Sequence, residues 1–168
     1  MSNLGKAALA VLLSLFFCRQ SMGAFVLNGT RFIYEEGKKN ISFEVTNNTE
    51  KTYGGQVWID NTNQSDGVYM VPQPPFFKVS PKQKQIIRIM NMGTALPKDR
   101  ESLFWLNVQE VPPKPKVKDG EGSVLAIAMN TRVKLIYRPA SVKDGRKNAE
   151  KLLKLEQRGS ETWLKNPT

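Results

Sequence analysis

The sequence predicts an all-β protein, an immunoglobulin-like β-sandwich followed by the incomplete start of a second sandwich domain. Three observations favour the first domain. About seven short apolar runs lie between residues 24 and 138, several of them alternate apolar and polar side chains, and Gly, Pro and Asn turn signals separate them. Alternation of this kind is typical of strands with one buried face. A length of about 115 residues is also normal for such a sandwich.

The strands are expected to follow one another along the chain at short intervals. The first is expected at residues 32–34, and the second, at 41–45, places Ile41, Phe43 and Val45 on one face. Further strands are expected at residues 56–60, 68–71, 85–91 and 103–111. Pro74 and Pro75 form a rigid corner before the strand at 85–91, and a cis peptide bond is compatible with this corner.

The core is expected to consist of apolar side chains alone, because the sequence has one cysteine and therefore no pair that could join the two sheets. An exported domain without a disulfide needs a core large enough to fold unaided. The expected core residues, or their immediate neighbours, are Phe43, Val45, Trp58, Ile87, Ile89, Phe104 and Leu106.

The strand predicted at residues 123–139 is the most informative part of the chain. Leu125, Ile127 and Met129 alternate with smaller residues and share one face, whereas Arg132 and Lys134 lie on the other. A long strand with an apolar row and a basic end is suited to pairing with another chain. The Pro- and Lys-rich residues 112–122 before it are expected to form a mobile loop, or else a plain hairpin connection.

Residues 1–23 are predicted to be a signal peptide that is removed after Gly23. Lys6 precedes an apolar run at residues 7–17, and small residues stand before the expected cleavage site. This run is shorter than the roughly 20 residues of a membrane span, so an uncleaved anchor is the less favoured alternative. Cys18 follows two bulky phenylalanines, which disfavours a lipidation site. The mature chain is thus expected to be exported and to contain no thiol.

The composition disfavours an enzyme. The chain has no histidine, and it has no phosphate-binding loop, nucleotide fingerprint or calcium-binding loop. Hence we expect no catalytic residues, no metal site and no cofactor. The formal net charge of +10 falls to +8 when Lys6 and Arg19 are lost with the signal peptide. The basic residues are scattered and not interleaved with aromatic ones, so nucleic acid is not the expected partner.

The chain changes character after residue 138. Residues 139–148 are polar and are expected to be a linker. Residues 149–157 contain helix-forming side chains, and residues 161–168 are compatible with a strand. A segment of this length is too short to build its own core, so residues 149–168 are expected to be the truncated start of a second domain.

Several strings of the sequence resemble one family. These are GTRFIY at 29–34, VTNN at 45–48, PQPPFF at 72–77, DRESLFWLNVQEVPP at 99–113 and RVKLIYRP at 132–139. They are similar to the PapD-like periplasmic chaperones of the chaperone–usher pilus pathway. The resemblance extends from about residue 24 to 168, since LEQRGSETWLKNPT resembles the opening of the second domain in this family. It implies two immunoglobulin-like domains arranged as a boomerang.

The resemblance also implies roles for particular residues. Pilus subunits lack their last strand, and the chaperone supplies one, which implies that Leu125, Ile127 and Met129 are donor-strand residues. It implies that Arg31 and Lys134 bind the C-terminal carboxylate of the subunit. Taken singly, either would be interpreted as a solvated charge at a strand end.

Two further residues, Glu101 and Arg138, match members of an interdomain charge network in the same family. The third member of that network is an acidic residue of the second domain. Only the start of that domain is expected in this sequence, and the sequence is expected to end before that residue.

The implied partners are pilus subunits and the outer-membrane usher, and the implied location is the periplasm. Two alternatives remain open, a non-functional remnant of such a chaperone and a generic secreted β-sandwich binding module. Self-association through the long edge strand is a further possibility, because an unpaired edge is a template for another strand.

Overall fold

A computed structural model describes residues 23–62, 66–115 and 125–166 of the 168-residue chain. Within these ranges the strands are β1 (Phe25–Leu27), β2 (Arg31–Glu35), β3 (Asn40–Asn47), β4 (Tyr53–Asn61), β5 (Met70–Gln73), β6 (Phe76–Val79), β7 (Lys84–Asn91), β8 (Ser102–Val111), β9 (Asn130–Arg138), β10 (Lys154–Arg158) and β11 (Glu161–Lys165). A short helix α1 (Ala140–Lys143) and two 3₁₀ turns (Asp144–Arg146 and Ala149–Leu152) connect β9 to β10.

The first nine strands form the two sheets of a sandwich, which confirms the predicted fold class. One sheet has the strand order β1-β3-β7-β5, and the other has the order β2-β9-β8-β4-β6. The chain passes from one sheet to the other between β1 and β2. All pairings are antiparallel except that of β2 with β9, which is parallel. Parallel pairing of strands so far apart in the sequence is what places the start of the domain beside its end.

The core lies between the two sheets and follows the alternation of the strands. Phe43, Val45, Ile87, Ile89, Phe104 and Leu106 are all buried, as the sequence predicts. Trp58 is only half-buried, and its neighbour Val57 takes the core position instead. The reason is the two-residue period of β4, which turns Val57 inward and Trp58 to the outer face.

Two local features hold the edges of the sandwich. A Cβ atom at Gly55 would lie 2.3 Å from the Phe77 ring and 2.9 Å from the Phe25 ring, so only glycine fits beneath these stacked rings. Asn47 is fully buried, and its Nδ2 donates hydrogen bonds to the Lys51 and Val79 carbonyl oxygens at 2.8 and 2.9 Å. The buried amide group is thus satisfied by backbone carbonyl groups of the loop after β3 and of the end of β6.

Some elements differ from the sequence-based expectation. Strands β1 and β6 are additional, and the strand expected at 68–71 is found at Met70–Gln73, followed by a cis peptide bond between Gln73 and Pro74. The long strand predicted at 123–139 begins at Asn130, and residues 125–129 have no regular secondary structure. No strand pairs with them among the described residues, and a strand needs a partner for its backbone groups.

The C-terminal region also differs from the expectation. The linker is partly helical, because α1 follows directly after Pro139, which remains buried against the sandwich. The helix-forming side chains of residues 149–157 lie in a 3₁₀ turn and strand β10, and β10 pairs with β11 in an exposed hairpin. Of the predicted signal peptide, residues 1–22 lie outside the described part of the chain, and only Gly23 is described. Among the helices that are described, none is long and apolar enough to cross a membrane.

Candidate functional site

Strand β9 has two halves with different surroundings. Its C-terminal half lies between β2 and β8: residues 134–137 pair with both strands, and Arg138 pairs with β2. Its N-terminal half, from Asn130 to Val133, pairs with β8 alone. In the part of the chain that the structure describes, no strand pairs with the other edge of this half. If β2 were extended backwards past Arg31, it would run beside residues 130–133, and in the described ranges no strand occupies that position. We call this position the vacant edge, or the vacant line of β2.

The segment before β9 presents an exposed apolar row. Leu125, Ile127 and Met129 have exposed fractions of 83, 70 and 51%. A single backbone hydrogen bond, from the Glu110 amide to the Met129 carbonyl oxygen at 2.9 Å, extends the β8 pairing beyond Asn130. The structure thus brings the three predicted donor residues to the surface, next to the vacant edge.

This exposed row continues into the core of the protein. Val133, Leu135 and Tyr137 are buried between the sheets, and they have the same odd-numbered parity as the exposed residues Ile127 and Met129. An extended chain places every second side chain on one face. If residues 125–129 adopt the extended geometry of β9, their apolar side chains therefore point to the side on which a sandwich core lies.

Arg31 and Lys134 are brought together by the parallel pairing of β2 and β9. They are register partners, so their side chains share one face and their strands lie about 4.8 Å apart. Both are exposed, and neither forms an ion pair with any residue in the described ranges. Arg31 is the first residue of β2, so the pair stands where the vacant edge ends.

Arg132, two residues before Lys134, is held differently. Its Nη2 donates to Asp60 Oδ2 at 3.0 Å, and its guanidinium lies 5.0 Å from the centre of the Trp105 ring. Asp60 Oδ2 also accepts a hydrogen bond from Asn107 Nδ2 at 2.9 Å. Sequence reasoning missed this cluster, because only the β4–β8–β9 register brings Asp60 near Arg132. Asp60 thus neutralises the charge of Arg132 within the sheet, whereas Arg31 and Lys134 have no such partner in the described ranges.

Glu101 and Arg138 form an ion pair at the end of the sandwich. Arg138 Nε donates to Glu101 Oε1 at 2.6 Å, and the Arg138 side chain is only 12% exposed. Glu101 also lines an open cleft together with Ser141, Val142 and Leu153, which belong to the segment after β9. The predicted pair is therefore assembled at the junction between the sandwich and the C-terminal region.

The same junction is held by contacts from the end of β2. The Ala140 amide donates to Glu36 Oε2 at 2.8 Å, and Lys143 Nζ lies 3.3 Å from Glu35 Oε2. Hydrogen bonds from Lys38 and Lys143 lower the pKa of the Glu35 carboxyl below its ordinary value. These contacts tie α1 to the first domain, so the segment predicted as a linker is attached to the sandwich at its start.

The chemistry of the site is that of binding. In residues 23–62, 66–115 and 125–166, no group of three or more Asp, Glu, His or Cys side chains could hold a metal ion. What the site offers is a row of apolar side chains, a vacant backbone edge and two unpaired cations. Such a combination fits an extended peptide strand that ends in a negative charge.

Comparisons with known proteins agree with this geometry. Residues 24–143 match the family described as "Pili and flagellar-assembly chaperone, PapD N-terminal domain". The chain is 52% identical to the chaperone protein FanE of Escherichia coli over 153 residues, which cover 90% of this chain and 66% of FanE.

Two solved structures are similar in fold as well as in sequence. The periplasmic chaperone SfaE aligns with a TM-score of 0.66 at 34% identity, covering 79% of this chain and 67% of that one. The SafB chaperone, solved in complex with the SafA pilin of Salmonella enterica, aligns with a TM-score of 0.75 at 27% identity, covering 89% and 71%. The chain spans slightly less than two thirds of the length of the curated relatives that it matches first, between 63 and 66%.

Proposed function

Because the chain belongs to the family of pilus and flagellar-assembly chaperones with a PapD N-terminal domain, we propose that it binds and stabilises pilus subunits in the periplasm. In this proposal residues 1–23 direct export and are removed after Gly23. The chain then holds a subunit by donor-strand complementation and delivers it to the outer-membrane usher. The role is one of binding, and none of these steps requires a catalytic residue.

The exposed row of Leu125, Ile127 and Met129 supports strand donation. These side chains continue the face that fills the core of the chaperone itself, so in an extended conformation they suit the core of a second sandwich. A subunit that lacks a strand has an open apolar groove and an unpaired edge, both of which favour aggregation. Covering the groove with an apolar strand removes both, which is the physical basis of stabilisation.

The position of Arg31 and Lys134 supports a definite direction of pairing. A subunit strand that fills the vacant line of β2 and runs parallel to β9 has its C-terminus facing the first residue of β2. Its terminal carboxylate then meets Arg31 and Lys134. Hydrogen bonds between cations and a carboxylate are stronger than those between neutral groups, so this contact would fix the register of the added strand.

The observation that carries the proposal is the coincidence, along one edge of β9, of the unpaired backbone, the apolar row and the basic pair that β9 forms with β2. It is tested by expressing the chain in the periplasm together with a pilus subunit of the same organism and isolating the complex. We expect a complex of one chain with one subunit, and a subunit that is degraded or aggregated when the chain is omitted. Failure to recover any subunit, from a folded chain, would favour the non-functional remnant.

The exposed edge also favours a second candidate, self-association. An apolar row beside an unpaired edge is a template for a second copy of the same strand. Sedimentation of the isolated chain separates the two candidates. A dimer that dissociates when subunit is added supports the chaperone role, with a second copy covering the edge strand until a subunit binds. A dimer that excludes subunit supports a generic β-sandwich binding module.

A further inference from the structure

Glu110 is a buried carboxylate of the sandwich, with an exposed fraction of 4%. Its Oε1 accepts a hydrogen bond from the Phe25 amide at 2.8 Å. No Lys or Arg within the described ranges forms an ion pair with it. A buried carboxylate without a counter-ion is costly, since a hydrogen bond offsets only part of the free energy of removing a charge from water.

The backbone next to this carboxylate is the start of the sandwich. A Cβ atom built on Gly23 would lie 3.1 Å from Glu110 Oε1 and 3.4 Å from Met129 Sδ. The nitrogen of Ala24 lies in the chain between Gly23 and the Phe25 amide. The Cβ position of Gly23 and the Phe25 amide nitrogen, on either side of it along the chain, are both about 3 Å from the same carboxylate oxygen. Three covalent bonds separate the Ala24 nitrogen from each of these positions, so it lies within about 6 Å of that oxygen.

We propose that Glu110 is the built-in counter-ion of the α-ammonium group that removal of residues 1–23 creates on Ala24. Before cleavage, the Ala24 nitrogen is a neutral amide beside a buried negative charge. After cleavage it carries a positive charge at the same position, and the buried carboxylate gains its partner. Removal of the signal peptide therefore completes an ion pair within the sandwich as well as separating the sandwich from residues 1–23.

The position of the pair links it to the binding site. Glu110 lies on β8, and its amide donates to the Met129 carbonyl oxygen, the contact that holds the end of the apolar row. Ala24 is buried, and its carbonyl oxygen accepts a hydrogen bond from the Asn48 amide at 2.9 Å. The ion pair would thus fix the new N-terminus to the strand that supports the donor segment.

This inference rests on the proposed cleavage after Gly23, and intact mass and N-terminal sequencing of the exported protein test that step separately from subunit binding. A first residue other than Ala24 overturns the inference and leaves the proposed chaperone role standing.

The ion pair itself is tested by a two-by-two comparison of purified mature protein. The α-amine of Ala24 is left free or is acetylated enzymatically, and residue 110 is Glu or, in the variant Glu110→Gln, its neutral isostere. The acetyl group replaces the carbonyl and Cα of Gly23, which the structure accommodates, so acetylation changes charge rather than shape. Because Gln retains an acceptor for the Phe25 amide, the variant is also nearly matched in shape.

We expect acetylation to lower the Tm by about 4 °C when residue 110 is Glu, and by about 1 °C or less in the Glu110→Gln variant. The exposed Glu50→Gln variant is the matched control, and it retains the full effect of acetylation. An equal decrease with Glu and Gln at position 110 overturns the inference. A measurement on the unsubstituted chain adds to this test: acetylation is expected to speed hydrogen exchange of the Phe25 amide at least tenfold, and unchanged exchange would count against the ion pair.

Discussion

Arg31 and Lys134 lie directly opposite each other on the parallel strands β2 and β9, although 102 residues separate them in the sequence. Both are exposed and both lack an ion-pair partner in the described part of the chain. Two cations on neighbouring strands repel each other weakly in water and are drawn together by a shared anion. This relationship supports the proposed role of the pair in binding one carboxylate, and it gives the first prediction.

Replacing Lys134 by Ala is expected to weaken subunit binding by about 10- to 100-fold, which corresponds to about 1.5–3 kcal/mol for a charge-assisted hydrogen bond. The same loss is expected for Arg31→Ala. The free energy of unfolding is expected to change by less than about 0.5 kcal/mol, because both side chains are exposed. The measurements are titration of purified chain with subunit and chemical denaturation.

The matched control for this pair is Lys84→Ala, which removes an exposed lysine from the opposite sheet. Subunit affinity that is unchanged by both Lys134→Ala and Arg31→Ala would contradict the carboxylate-binding role.

Placing a charge in the apolar row is expected to abolish subunit capture. Ile127→Asp would bring a carboxylate into the apolar groove of the subunit, where an unpaired charge is strongly unfavourable. The fold of the Ile127→Asp variant is expected to be unaffected, since Ile127 is exposed. Co-purification from the periplasm measures the capture, and circular dichroism measures the fold.

Ala128→Asp is the neighbouring control, because adjacent residues of an extended chain point to opposite faces. It is expected to retain most of the binding. If both variants bound subunit as well as the unsubstituted chain, residues 125–129 would not be the donor segment.

The Glu101–Arg138 ion pair is expected to contribute to stability. Glu101→Ala removes the acceptor from a guanidinium whose side chain is largely buried, and we expect the free energy of unfolding to fall by about 1–2 kcal/mol. The contribution is limited because the Glu101 side chain is 37% exposed. The control is Asp99→Ala, which breaks a largely exposed ion pair with Arg100 and is expected to cost less. A loss of about 1 kcal/mol or more in the control would contradict this distinction.

Tyr137 is expected to make the protein sensitive to alkaline pH. Burial raises the pKa of its hydroxyl, with smaller contributions from Glu36 and Tyr34. The neutral form is therefore favoured in the folded state. Its contribution to stability is complete below the ordinary tyrosine pKa of about 10 and is lost as the pH rises through the higher folded-state value.

Denaturation at several pH values tests this. The difference in unfolding free energy between the unsubstituted chain and Tyr137→Phe is expected to be constant from about pH 7 to 9. Above about pH 10 it is expected to shift in favour of the Phe variant. A difference that stays constant up to pH 11 would argue against the raised pKa.

Much of the fold could be predicted from local patterns. The alternation of Ile41, Phe43 and Val45 gives both the strand and its buried face, and the alternation from Leu125 to Tyr137 gives the face that the apolar row shares with the core. Trp58 illustrates the limit of such reasoning, because a strand of consecutive apolar residues does not reveal which parity points inward. Strands β1 and β6, with three and four residues, are too short to carry a pattern.

The features that depend on distant pairings could not be predicted from residue patterns alone. Nothing local indicates that β2 pairs parallel to β9, and this pairing alone brings Arg31 to Lys134. The resemblance to a known family supplied that pair in advance. The bond between Arg132 and Asp60, and the carboxylate of Glu110 beneath the Phe25 amide, became visible only with the register of the strands.

In the proposed role, β9 and the segment before it divide two tasks between them. From Lys134 onward β9 is held on both edges and belongs to the folding unit of the chaperone. Before Asn130 the side chains contribute little to that unit. If these residues donate a strand as proposed, substitutions at Leu125, Ile127 and Met129 would change which groove is filled and leave the folding equilibrium almost unchanged. In the proposed role, the donor segment would thus acquire new binding partners by point mutation, without passing through unstable intermediates.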